Sequence, residues 1–127
     1  MPYTTELMTF AVKPGKEERA DEWMRTLVQR RAECVASLDR EAMHFESIFK
    51  SVRNGRMWLS WLSVQGGCGA HVETSVLAVD AVHMDFWREC IDRQVEPQTF
   101  EHIVDFVPPS VETAIVDRDA TLAARRQ

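Results

Sequence analysis

Val12-Lys13-Pro14-Gly15-Lys16 is a Pro-Gly turn set between an apolar strand and a long amphipathic helix, and its reading decides the fold. Upstream, Thr9-Phe10-Ala11-Val12 is rich in strand formers. Downstream, Ala20, Trp23, Met24, Leu27, Val28, Cys34, Val35 and Leu38 recur at helical spacing. A strand that turns directly into a helix lying back across it commits the chain to a sheet with helices on one face.

Working outward, strand one is expected from Thr4 to Val12, with Met8, Phe10 and Val12 on one side. The helix is expected from Lys16 to Leu38, its start crowded with Glu17, Glu18, Asp21 and Glu22, which suits the positive end of the macrodipole. Strands two (42–52) and three (56–65) flank Asn54-Gly55, the dipeptide that a type I′ hairpin turn demands. Gly66-Gly67-Cys68-Gly69 then reads as a flexible connection. It lacks the Gly-Lys-Ser/Thr ending of a phosphate loop. Ser75 is the expected N-cap of a second helix that runs to Asp92 and turns Val76, Val79, Asp80, His83, Trp87 and Cys90 to one side. Past Pro97, residues 100–107 read as a fourth strand, and residues 111–124 as a helix with a thin apolar stripe and a frayed end.

The order β-α-β-β-α-β is the ferredoxin-like unit: an α+β fold with a four-stranded antiparallel sheet and helices on one face. One domain is expected, residues 1–107, with residues 108–127 as its C-terminal helical extension. The bare sheet face calls for a second copy, so a homodimer through that face is the expected assembly.

With 45% hydrophobic and 28% charged residues, the 127-residue chain has the balance of a soluble globular protein. A net charge of −5 and no basic stripe exclude a nucleic-acid binder. No apolar run reaches the ~18 residues that span a bilayer, so no membrane partner is expected. Met1-Pro2-Tyr3-Thr4-Thr5-Glu6 has no signal-peptide character. Cys34, Cys68 and Cys90 match no disulfide or zinc spacing, and Cys34 and Cys90 read as small buried hydrophobes. A reducing cytoplasm is the expected setting.

The Val12–Lys16 string running into an acidic helix start, followed by Phe45-Glu46, resembles the dimeric α+β-barrel superfamily, which includes antibiotic-biosynthesis monooxygenases and polyketide cyclases. More narrowly, the strings 14–18 (Pro-Gly-Lys-Glu-Glu), 61–66 (Trp-Leu-Ser-Val-Gln-Gly) and 80–92, with Trp87-Arg88-Glu89-Cys90-Ile91-Asp92, resemble a family catalogued as a domain of unknown function. The resemblance spans residues 5–107 and implies the fold and the homodimer. It brings no catalytic motif.

A two-residue turn at Asn54-Gly55 pairs Arg53 with Arg56, Ile48 with Trp61, Glu46 with Ser63 and His44 with Gln65. One sheet face then carries His44, Glu46, Ile48, Leu59, Trp61, Ser63 and Gln65, a semi-polar surface with a tryptophan in its middle, as a small-molecule pocket has. The other face carries Met43, Phe45, Phe49, Trp58, Leu62 and Val64. On the second helix, Asp80 lies one turn before His83 and Trp87 one turn after. An Asp at i−3 can fix the imidazole tautomer and raise its basicity, as a general base requires.

Each of these has a plainer reading. His83 can be an interior histidine satisfied by Asp80, Glu46 and His44 polar groups at the sheet rim, and Trp61 and Trp87 packing residues. His44, Glu46 and His83 could also form a two-histidine, one-carboxylate metal set. His71-Val72-Glu73 repeats the His-x-Glu spacing without an obvious partner, and His102 reads as a surface residue. No Gly-x-Ser-x-Gly elbow supports a serine hydrolase, and no basic neighbour activates Cys68.

The expected function is a cofactor-independent enzyme of monooxygenase or cyclase/isomerase type, acting on a small apolar, aromatic or polyketide-like molecule. His83, oriented by Asp80, takes a proton. Glu46 or His44 donates one or holds an oxygen, and Trp61 and Trp87, with Ser63 and Gln65, grip the ring. The alternatives are a non-catalytic dimeric small-molecule-binding domain and a metal-dependent oxygenase.

Overall fold

The computed structural model describes residues 3–67 and 77–125. Eight elements follow in order: β1 (Tyr3–Ala11), α1 (Glu17–Gln29), α2 (Arg31–Glu41), β2 (Met43–Arg53), β3 (Arg56–Gly66), α3 (Ala78–Cys90), β4 (Gln98–Thr99) and α4 (Pro109–Arg125). The fold is α+β, with one four-stranded antiparallel sheet in the order β2-β3-β1-β4.

The Pro-Gly turn forms as expected, with Gly15 at φ 86°, a conformation that a residue with a Cβ adopts only at a cost. Asn54 (φ 52°) and Gly55 (φ 74°) both lie in the left-handed region, so the β2–β3 turn has the two positive-φ residues of type I′. It fixes the register outward: Arg53 opposite Arg56, Ile48 opposite Trp61, Glu46 opposite Ser63. The core forms where α1 and α3 close over the sheet, with Trp23, Leu59, Val12 and Cys90 fully enclosed and Phe86 and Ile91 beside them.

Four features depart from the sequence expectations. The first long helix is two helices that break at Arg30 (φ −100°, ψ 29°), whose amide turns back to the carbonyls of Thr26 and Val28. No Gly or Pro marks the break. It falls in Gln29-Arg30-Arg31, where no apolar side chain holds the axis straight, and Arg30 then pairs with Glu33 at 2.6 Å. The second helix begins at Ala78, with Leu77 as its N-cap. The third departure is the fourth strand, which is only Gln98–Thr99, paired with Thr9 and Met8; residues 100–107 form no strand. They leave Ile103 79% and Phe106 92% exposed, while Asp105 accepts a hydrogen bond from Thr5 at 2.9 Å and pairs with His102.

The last departure is a β-bulge between Met43 and Phe45. Met43, not His44, stands opposite Gln65, because the extra residue restarts the alternation of faces. His44 leaves the face shared by Glu46 and Ser63, and Met43 takes its place there. The connection at 68–69, Ser75, Val76, His71-Val72-Glu73, Cys68 and the chain's last two residues lie outside the described residues.

Candidate functional site

Between the helix-covered side of the sheet and helices α1, α2 and α3 lies a cleft of about 850 Å³. The strands supply its floor in register: Glu46, Ser63 and Glu6 in one row, Ile48, Trp61 and Met8 in the next. The roof comes from α3, where Asp80, His83 and Trp87 recur at i, i+3 and i+7 along one stripe. Helix α2 closes one side with Cys34 and Val35. Of the residues singled out in the sequence, Asp80, His83, Trp87, Glu46, Trp61, Ser63 and Gln65 thus meet in one hollow.

His44 stands apart from them. Displaced by the bulge, its side chain is 2% exposed and packs against α4. Arg118 Nη1 donates to its Nδ1 at 2.6 Å, and Nε2 lies 3.2 Å from Asp119 Oδ1. A guanidinium can only donate, so Nδ1 accepts and Nε2 carries the hydrogen toward Asp119. The same guanidinium reaches the Met43 carbonyl at 2.9 Å and Asp39 at 2.5 Å. Gly66 leaves room for this network, since a Cβ there would collide with the Asp119 carboxylate. The two-histidine, one-carboxylate set is therefore not assembled, and no group of three or more His, Cys, Asp or Glu among the described residues is placed to hold a metal ion.

His83 is oriented differently from the expectation. Its Nδ1 lies 3.1 Å from Trp23 Nε1. An indole N–H is only a donor, so Nδ1 is the acceptor and the neutral ring keeps its hydrogen on Nε2. Trp23, fully enclosed on α1, does the orienting that the i−3 spacing had assigned to Asp80. Burial holds the imidazole below its ordinary basicity, although Asp80 pulls it the other way. His83 is thus a neutral ring with a fixed N–H.

Glu46 carries the opposite tendency. Burial pushes its carboxyl up from the ordinary value, the Trp61 indole hydrogen bond works against that, and the nearby Asp80 adds to it. Burial likewise pushes up the Cys34 thiol, with Glu46, Asp80 and Glu33 adding to the effect. Asp80 itself is 6% exposed, and its Oδ2 has no hydrogen-bond partner among the described residues.

An aromatic group braces the cleft. These contacts tie the strands of the floor to the helices above it: Trp61 and Trp87 have ring centroids 5.2 Å apart, Phe10 and Trp87 4.7 Å, and Trp23 and Trp61 5.6 Å. Sequence reading placed Trp23 on an apolar helix face but overlooked its polar edge. Its place one turn after Ala20 and one before Leu27 announced burial, and a buried indole usually finds an acceptor for its N–H. Among the described residues, no helix is long and apolar enough to cross a membrane. No curated protein matches the chain. Residues 3–112, most of its length, match the Family of unknown function (DUF6176), and the chain belongs to that family.

Proposed function

We propose that the protein is a small cofactor-independent enzyme performing general acid/base chemistry on a small, largely apolar, ring-bearing molecule. In this reading it works as a ferredoxin-like homodimer of the α+β-barrel type in a reducing cytoplasm. One observation carries the proposal: Glu46 and His83 line the same cleft with protonation tendencies driven toward each other. A carboxyl raised by burial is a stronger proton acceptor than an ordinary carboxylate, and an imidazole with a fixed N–H is a donor suited to a carbonyl or phenol oxygen.

The division of labour follows from the hydrogen bonds. Because Trp23 uses the Nδ1 lone pair, His83 offers Nε2–H and steadies the charge that develops on the substrate oxygen. Glu46 removes the proton from the adjacent carbon, and Trp61 and Trp87, packed edge to face, form one aromatic wall against the ring system. The resulting carbanion or enolate is the common start of oxygenation, cyclisation and isomerisation. Support for the homodimer comes from Phe45 (51% exposed) and Phe49 (56% exposed), on the side of β2 opposite Glu46 and Ile48. A second copy covers that face.

The test is deuterium incorporation from heavy water into phenolic and cyclic ketone ring compounds, followed by NMR. The parent protein accelerates exchange at the activated carbon, and Glu46→Gln slows it ~10²–10⁴-fold. Equal exchange by parent and a folded Glu46→Gln protein would remove the proton-transfer role. Catalysed exchange by neither would leave the second reading, a dimeric binding domain.

A further inference from the structure

We infer that residues 100–107 are an exchanged arm: each copy in a dimer lays this segment along β2 of the other copy and completes the rim of its cleft. This rests on the reading of the protein as a homodimer that covers its open sheet face, and it assigns the segment that does the covering.

The arm stands off its own sheet with apolar side chains outward. Phe100-Glu101-His102-Ile103-Val104-Asp105-Phe106-Val107 is rich in strand formers, yet Ile103 is 79% and Phe106 92% exposed, and Phe100 and Val104 are about half exposed. Thr99 pairs with Met8, and the Asp105 carboxylate accepts from Thr5, so the segment runs antiparallel to β1 but spends six residues where β1 spends three. It therefore bows away from that strand. From Glu101 to Val107, no backbone N–H or C=O bonds to another backbone group among the described residues. Free backbone groups beside bare apolar side chains mark a segment that lacks its neighbour.

Strand β2 has the complementary lack. It forms the opposite border of the sheet and pairs only with β3, and from Phe45 to Arg53 no other backbone group bonds to it among the described residues. Phe45 and Phe49, on its side opposite Glu46 and Ile48, are about half exposed. An open edge of this kind is ordinarily covered, because it invites pairing with another chain. Thr99, Met8, Trp61 and Ile48 form one row across the sheet, which sets the arm's start three strand spacings, about 14 Å, from β2 of its own copy.

A two-fold axis parallel to the strands, in front of the open face, brings the two borders together. It preserves strand direction and exchanges the edges, so the arm of each copy faces β2 of the other and runs antiparallel to it. The heights agree. Asp105 sits by Thr5, and Thr5, Val64 and Phe45 form one row, so Phe106 of one copy arrives level with Phe45 of the other. The area also suffices. Phe45, Phe49, Phe100 and Phe106 together expose the equivalent of about two and a half rings, on the order of 500 Å². Ile103 and Val104 raise this toward the ~800 Å² that each partner buries in a standard interface. Ser47 and Phe49 line the cleft as well, so the arriving arm walls it along β2.

Light scattering on the eluting protein and isotope-filtered NMR test this together. The parent chain is expected to be a dimer. In a mixture of labelled and unlabelled chains, Ile103 and Phe106 of one copy should show contacts to Phe45 and Phe49 of the other. The double variant Ile103→Asp with Phe106→Asp, folded by circular dichroism, should dissociate at least ~100-fold more readily. A dimer without contacts between one copy's arm and the other's β2, or one that the folded double variant leaves as tight, overturns the exchange and leaves the open-face dimer standing. A monomeric parent overturns both. If the double variant does not fold, the cross-copy contacts of the parent decide alone.

Discussion

Two sheltered imidazoles in this protein have opposite surroundings. His44, at the β2 bulge, uses both ring nitrogens: Arg118 on Nδ1 and Asp119 on Nε2. His83, on the roof of the cleft, uses Nδ1 for Trp23 and lines the same hollow as Glu46 and Asp80. Sequence reading named both as candidates, His83 to take a proton and His44 only as an alternative to Glu46. A polar group whose every valence is met inside the chain is structural. One left partly unmet beside a cavity is waiting for something else.

Removing Glu46 or His44 breaks the comparison most sharply. Glu46→Gln is expected to lower turnover ~10²–10⁴-fold, while a folded His44→Gln protein keeps parental turnover, read by the deuterium-exchange assay. Stability should run the other way. His44→Ala leaves Arg118 and Asp119 without their common partner and opens a void, so urea unfolding should show a loss of about 2–4 kcal/mol. His83→Asn, which strips the enclosed Trp23 N–H of its acceptor but opens onto an existing hollow, should cost less, about 1–2 kcal/mol.

Trp23→Phe sharpens the contrast at smaller scale. It keeps a ring in the core but deletes the N–H that assigns the His83 tautomer, and should destabilise by about 1–3 kcal/mol. The nitrogen-15 shifts of His83 should change from a single Nε2–H form toward a mixture, and those of His44 should not move.

The smallest effect is a pH dependence with opposite signs at the two cleft groups. The folded Glu46 carboxyl holds its proton above the ordinary value of 4.5, through burial and Asp80. In the unfolded chain it ionises more readily, so this group's contribution to stability falls as pH rises past 4.5. His83, lowered by burial from 6.5, contributes stability that is full above 6.5 and lost as pH falls below it. Glu46→Gln should therefore melt above the parent at pH 8 and level with it at pH 3, by calorimetry. A parent that gains stability through the Glu46 window relative to Glu46→Gln would contradict the burial argument.

Much of the fold was legible because its signals are local. Asn54-Gly55 dictates a turn through the φ of two residues, and with it the facing of Glu46, Ile48, Trp61 and Ser63. The α3 stripe placed Asp80, His83 and Trp87 together by helical periodicity alone. What escaped depended on distant partners. The bulge at His44 is stabilised by Arg118 and Asp119, some seventy-five positions away, so nothing near it announces an extra residue. Residues 100–107 are rich in strand formers, yet in this region only Gln98–Thr99 pairs with β1. The break at Arg30 carries no Gly or Pro, and Trp23 was readable as core but not as a donor.

The register of β3 also has a consequence for the order of assembly during synthesis. Its pairing with β2 closes through two turn residues, whereas its pairing with β1 joins Tyr3 to Gly66, across about half the chain. On the ribosome, β1 emerges first and has no neighbour until β3 has followed it out. In that interval β1 lacks a strand to pair with, and α1, which follows it directly, is the first element able to cover its Phe10 side.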